Sequence, residues 1–585
     1  MEQTWLGRAQ QTVVLLLLVS CLGAAVLQAQ QGLEPIRVSA PPGGGALDAD
    51  VLFARTNADG NVVLLLTQAS NLGENDRNGK SDVYVVDITG RFIERASVSF
   101  LGRDPNDGSF PGVLSDDGLL VVFGSAANNL VTGDFNRTPD LFLFDRTSRR
   151  TTILTLTDDG LGGGTIPDLP PSATPETRWI AFASQADDLV ANDRNEASDV
   201  FVLDRKSGRM EAVTLTDLGA TEFRTANGPS AGPAISSDGC FVAFFSDANN
   251  LVQRDRNQSR DVFVRDRCTN TIERVSVSSD GTEANGPSQV ELATLAISGD
   301  GRFVAFTSRA TNLDGDTGRQ SQVFLRDRLT STTRLVSRNA SGEIANAPAL
   351  SPSLDRAGRF LVFQSAASNL VEQDSWRGED VFVVDLSDGE VRLVSQPANG
   401  GVADGDSYAP SISADGSRVV FLSRARLTPD DTDARVDAYL VANPMFGKPP
   451  VEATPTLTPE ETPETPTLTP TSTATPTESP SASPTFPEPT PTPVVDATPT
   501  PLSTATLTPQ PLTPTTTTIT VPPGGGTQTP TTPSASPTSQ SGGNGGDGCG
   551  CRVDPVSGRT ISDPLSLWSL LPLLWLAWRR RFRSQ

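Results

Sequence analysis

A six-residue pattern of apolar residues flanked by acids recurs seven times in this chain, and it constrains the fold more than any other feature. The copies are Asp82–Asp87 (DVYVVD), Asp140–Asp145 (DLFLFD), Asp199–Asp204 (DVFVLD), Asp261–Asp266 (DVFVRD), Gln322–Asp327 (QVFLRD), Asp380–Asp385 (DVFVVD) and Asp437–Ala442 (DAYLVA). They return every 57 to 62 residues. A fixed period of this length means that one supersecondary unit is stacked repeatedly, because a single unit cannot bury its own apolar face.

The fourth unit shows how each repeat folds. Pro233–Ser236 reads as a short strand, Ser237–Gly239 as a turn and Phe241–Ser246 as a second strand. A long polar loop leads to a third strand, Val262–Val264, and a turn near Cys268 leads to a fourth, Ile272–Val277. The second and third strands are apolar almost throughout, so both faces of their sheet are covered. Four-stranded sheets stacked face to face around an axis form a β-propeller, here all-β and seven-bladed. The seventh unit runs from its third strand straight into Asn443-Pro444, whereas Pro35–Ala40 near the N-terminus carries the fourth-strand pattern. The N-terminal strand is therefore expected to complete the last blade and close the ring.

Units such as Pro233–Phe244 (PAISSDGCFVAF), followed by Asp261–Asp266, resemble the PD40 repeats of TolB-type, WD40-like propellers over about residues 36–447. The resemblance implies a propeller of the kind found in periplasmic scaffolds and in some peptidases. No hydrolase domain accompanies it here, and an enzyme of the peptidase type is not expected.

In an up-and-down blade the second-to-third loop and the blade-to-blade loop share one face, while the other face carries tight turns such as Ser298–Gly301 and Ser413–Gly416. The loop face is the candidate binding surface. Its loops repeat an Asp-x-Asn/Asp-x-x-x-Asp motif: Asp76/Asn78/Asp82, Asp134/Asn136/Asp140, Asp193/Asn195/Asp199, Asp255/Asn257/Asp261 and Asp431/Asp433/Asp437. Oxygen donors at this spacing resemble the start of a calcium loop, although the turn glycine and closing Glu are missing. The alternative is that Asp and Asn make side-chain-to-backbone turns. Two units depart from the motif: Asp316 is followed by Gly318 and Gln322, and Asp374 by Trp376 and Asp380.

Net charge is −23, and histidine is absent. The acidity argues against a nucleic-acid partner. Missing histidine removes Ser-His-Asp and Cys-His catalysis and imidazole metal sites. Two carboxylates in the central channel could still cleave a polysaccharide, and Glu291, Trp376 and Asp406 are unit-specific departures of the kind such a site would need. None of them forms a pair in the sequence. The reading is therefore a monomeric, non-enzymatic module that binds a protein or glycan through its loop face. The alternatives are a carboxylate-dependent glycoside hydrolase or lyase and a structural or calcium-stabilised display module. Cys240 and Cys268 are either a disulfide or two buried thiols.

The termini set the expected location. Residues 1–29 read as an export signal, with Arg8 before the apolar runs Val13–Val19 and Leu22–Leu27; a lipobox ending at Cys21 is the alternative. Residues 448–540 are rich in Thr-Pro and Ser-Pro and read as an extended stalk, O-glycosylated or plain. Residues 541–564 hold a Gly-rich signature with Cys549 and Cys551, and residues 565–585 an apolar segment followed by arginines. The apolar run Leu565–Trp578 has 14 residues, against about 20 for a spanning helix, so the tail is a short or transient membrane link. The order of these parts resembles myxosortase- and rhombosortase-type sorting tails. That resemblance implies processing near Cys549 or Cys551 and display on a bacterial cell surface or outer envelope; periplasmic or secreted protein is the alternative.

Overall fold

A computed structural model describes residues 34–449 apart from 156–168, 191–192, 194, 217–224, 290–293, 373 and 375. The segment read as an export signal with Cys21, the Thr-Pro-rich segment from residue 450 that is expected to form a stalk, Cys549, Cys551, the apolar tail and Glu291 lie outside the described residues. The described strands form seven four-stranded antiparallel sheets, numbered here as blades in chain order. Within blades 1 to 6 the four strands follow one another in sequence from the inner to the outer edge.

Blade 4 shows why these residues make these strands. Its strands are Ser230–Ile235, Phe241–Ser246, Asp261–Asp266 and Thr271–Arg274. The inner strand begins three residues before the expected Pro233 because a bulge between Ala231 and Ala234 lets the chain pair further. The outer strand stops at Arg274 because the Ser276 hydroxyl turns to Asp261 instead of continuing the ladder. The two middle strands are buried on both faces and put an aromatic pair at the centre of the blade, Phe244 opposite Phe263. Cross-strand aromatic pairs stand at this place in blades 2 to 7, with ring centroids 5.6 to 6.2 Å apart; blade 1 substitutes Leu65 opposite Tyr84. Each pair is wedged between neighbouring blades, so the core is a ring of inter-blade layers rather than one central mass.

The ring closes as expected from the ends of the repeat region. Ile36–Arg37 pairs antiparallel with Asp437–Ala442, and Val38 N–H donates to the Ala438 carbonyl at 2.8 Å. The N-terminal segment thus supplies the fourth strand of blade 7.

The tight-turn face is built by the Ser-x-Asp-Gly signature. In blade 4 the Ser236 hydroxyl donates to Asp238 Oδ1, which also accepts the Cys240 N–H, while Gly239 adopts φ +76° to complete the turn. Around the axis the turns are hydrogen-bonded to one another. Asp116 N–H donates to Pro175 O, Ser237 to Gly299, Gly299 to Arg356, Arg356 to Ala414, Asp415 to Ala58 and Ala58 to Asp116, at 2.8 to 3.4 Å. The step from blade 3 to blade 4 falls at Pro175, which has no N–H to give. Across this ring the Arg356 guanidinium reaches both Asp116 carboxylate oxygens at 2.6 Å. The channel is therefore floored on the tight-turn face. Cys240 and Cys268 lie on the same face as a disulfide with Cα atoms 5.3 Å apart.

Candidate functional site

Every third strand opens on a buried polar clamp. The first side chain of the strand accepts a hydrogen bond from a Ser or Thr hydroxyl just past the fourth strand: Ser97 to Asp82, Thr155 to Asp140, Thr214 to Asp199, Ser276 to Asp261, Ser337 to Gln322, Ser395 to Asp380 and Ser39 to Asp437. The same hydroxyl accepts the next N–H of the third strand, such as Val83, Val262 or Ala438. The second acid of the repeat has a different task. Asp266 Oδ1 accepts the N–H groups of Cys268 and Thr269 and shapes the turn to the fourth strand.

The third motif position is held by its own backbone. Asn78, Asn136, Asn195 and Asn257 accept the N–H two residues on through Oδ1, which leaves Nδ2 donating to Asp82, Asp140, Asp199 and Asp261. An amide nitrogen, not an oxygen, therefore faces the seventh-position acid in blades 1 to 4.

Three blades carry a built-in cation that the motif alone does not reveal. In blade 1, Arg95 Nη1 lies 3.4 Å from Asp76 and 3.5 Å from Asp82. In blade 4, Arg274 Nη1 lies 3.0 Å from Asp255 and 3.3 Å from Asp261. In blade 7, Arg37 of the closing strand lies 3.8 Å from both Asp431 and Asp437 and 3.1 Å from Asp430. The carboxylates of Asp431, Asp433 and Asp437 lie within 4.8 Å of one another, a grouping that could hold a metal; Arg37 already stands beside two of them. Each arginine sits two residues before the clamp hydroxyl, so aligning the fourth strands would have found it. Tyrosines assist in two of these blades, Tyr84 donating to Asp76 and Tyr439 to Asp431.

Burial dominates the charge state of the clamps. It pushes Asp82, Asp140, Asp199 and Asp437 up to about 6, and Asp380 up to about 7, the hydroxyl bonds pulling the other way. The two departures from the motif behave differently. Gln322 donates to the carbonyls of Ala345 and Ala347, and Leu335 replaces the arginine, so blade 5 has a neutral clamp. Trp376 Nε1 donates to Asp406 at 3.4 Å, which brings two of the singled-out residues together. The floor of the channel presents one carboxylate among its described lining residues, Asp116, and that one is ion-paired.

A groove opens from the loop face down the rim between blades 1 and 2, with a volume of about 1320 Å³. Phe92 and Phe100 lie in it, 45% and 53% exposed. Six arginines and three acids line it. Arg95 is tied to Asp104 and Arg149 to Glu94, whereas the exposed side chains of Arg77, Arg91, Arg103 and Arg150 have no ion-pair partner among the described residues. A smaller groove of about 890 Å³ near blade 6 is lined in part by Lys448 and Glu390, which pair with each other.

No family profile and no curated protein matches this chain. Among solved structures it is similar to TolB from Acinetobacter baumannii, at 13% identity and a TM-score of 0.32, over 60% of this chain; it spans 65% of that chain, under two thirds. It is also similar to an oligogalacturonate lyase from Vibrio parahaemolyticus, at 12% identity and a TM-score of 0.42, over 70% of this chain and 93% of that one. The propeller domain of the Trilobed protease from Pyrococcus furiosus matches at 9% identity and a TM-score of 0.39, over 67% and 95%. Likeness at this level carries no argument about activity. The propeller assignment stands on the strand pairing above.

Proposed function

We propose that this chain is an exported, non-enzymatic binding module whose propeller, carried on the Pro/Thr-rich stalk at the cell surface, holds an acidic glycan in the rim groove between blades 1 and 2. The observation that carries this reading is the groove's charge. Four exposed arginines with no ion-pair partner among the described residues line the same groove as two exposed phenylalanine rings, in a chain whose net charge is −23. Guanidinium forks match carboxylates in geometry, and aromatic faces offer apolar area to sugar rings. The overall acidity does not oppose this, because charges more than about 10 Å away are screened at moderate ionic strength. A linear chain laid along a groove suits the shape better than a globular protein, whose interface needs about 800 Å² of matching surface on each partner.

Titration of the whole exported protein with alginate, neutral dextran and polyglutamate tests the reading. Alginate is expected to bind, dextran not. The R103A/R150A variant should weaken alginate binding at least about 100-fold, since each of the two charged hydrogen bonds lost contributes roughly 1.5–3 kcal/mol. Binding of polyglutamate alone would transfer the groove to an acidic protein, and binding of neither would refute the proposal.

A further inference from the structure

We propose that blades 2 and 6 each bind a hard divalent cation of the calcium type, between Asp134 and Asp140 in blade 2 and between Asp374 and Asp380 in blade 6. The comparison with the other blades carries the argument. In blades 1, 4 and 7 an arginine from the fourth strand reaches both the first and the seventh acids of the loop; blade 3 buries Asp193 and Asp199 with Ala212 in the arginine's place and is left out of the comparison. Where no arginine is present in blade 5, the seventh position is the neutral Gln322. Blades 2 and 6 keep both acids but place Ile153 and Leu393 where Arg95 and Arg274 stand. They also place Phe142 and Phe382 where Tyr84 and Tyr439 stand, so the first acid loses its hydroxyl donor as well.

The carboxylates are left with unused oxygens. Asp134 is 7% exposed, Asp140 0% and Asp380 1%. Asp134 Oδ1, Asp374 Oδ1 and Asp380 Oδ2 are buried with no hydrogen-bond partner among the described residues. Buried ionised carboxylates without a counter-charge are costly. All-oxygen donors at two carboxylates select a hard cation over a soft one, and calcium accepts the irregular geometry that carbonyls and water would complete. The first and seventh positions, and not the third, are the ligands, because Asn136 turns its amide nitrogen to Asp140 and blade 6 has Trp376 in that place. In blade 6 Asp406 adds a third carboxylate whose charge acts on Asp380.

The experiment uses chelator-treated full-length protein at constant neutral pH, titrated calorimetrically with calcium chloride and melted with and without the ion. The wild type is expected to bind at least two calcium ions with millimolar or tighter affinity and to melt higher in calcium. In the I153R/L393R variant, built to imitate blades 1 and 4, stoichiometry should fall by two. Blade 3, which has Ala212 at this position, is unchanged in the variant and does not enter the difference. If the arginines prevent folding, D134N/D380N serves the same comparison. Absence of calcium binding in the wild type, or a stoichiometry unchanged in the variant, would overturn the proposal.

Discussion

Arg37 offers the sharpest test of how this ring is held shut. Its side chain is 1% exposed, and it stands against Asp430, Asp431 and Asp437 while donating to the Gly45 carbonyl. The closing ladder itself is short, Ile36 opposite Leu440 and Arg37 opposite Tyr439. Replacing Arg37 by Leu leaves Asp431 and Asp437 buried without a cation, a loss of about 3–5 kcal/mol for one partner of a buried pair. A propeller of roughly 400 residues melting as one unit has an unfolding entropy near about 0.8 kcal/mol/K, so the melting temperature should fall by about 4–6 °C. The chain itself suggests the rescue. Blade 5 does without the charge through Gln322 and Leu335, so R37L/D431N/D437Q should regain most of the loss. R274L in blade 4 removes an equivalent cation without touching the closure. Limited proteolysis near the N-terminus should therefore accelerate in R37L and not in R274L. Scanning calorimetry with proteolysis decides the matter: an unchanged melting temperature in R37L, or a triple variant no better than the single one, would refute the argument.

The clamps also set a pH dependence. Asp82 and Asp437 rise from 3.8 to about 6 on burial, so the folded state holds more protons than the unfolded chain between about pH 4 and 6. Stability contributed in this way is present at the low end of that window and is lost as pH rises through 6. The melting temperature is expected to be higher near pH 5 than near pH 7.5, and D437N should reduce the difference; a higher value at pH 7.5 would contradict it. Lower down, Asp327 is held at about 2, mainly by Arg302, and its contribution is lost as pH falls through that value. The Cys240–Cys268 bridge spans a sequence separation of 28, for which loop-closure entropy predicts about 3–4 kcal/mol. Urea melts of the C240S/C268S variant should show that loss with little change in slope, and a midpoint equal to the wild type would assign the bridge no stabilising part.

Most of the architecture was legible because it repeats. Strand order, blade number and closure follow from the spacing of Asp261–Asp266 and its relatives and from the displaced strand at Ile36. Strand ends were less so, since the bulge at Ala231 and the hydroxyl of Ser276 act through partners distant in sequence. The loop motif pointed to the right buried carboxylates but not to their surroundings. Whether such an acid meets a guanidinium depends on a fourth-strand residue, Arg95 or Ile153, that lies 13 residues after Asp82 or Asp140. The rim groove was illegible for a similar reason: Arg77, Arg103 and Arg150 come from three different loops or strands, and only inter-blade packing assembles them.

A repeat protein inherits one charge problem per repeat, and this chain solves it in different ways. The seventh-position acid ties the third strand to the fourth through a hydroxyl in six blades, and burying it is the consequence of tying it tightly. Blade 5 removes the charge, and blades 1, 4 and 7 neutralise it from within. In blade 7 that internal cation belongs to the strand that closes the ring, so the residue that neutralises the last clamp is the one that locks the first segment to it. Charge neutralisation and ring closure are there a single contact, and a substitution that separates them shows which of the two the arginine serves.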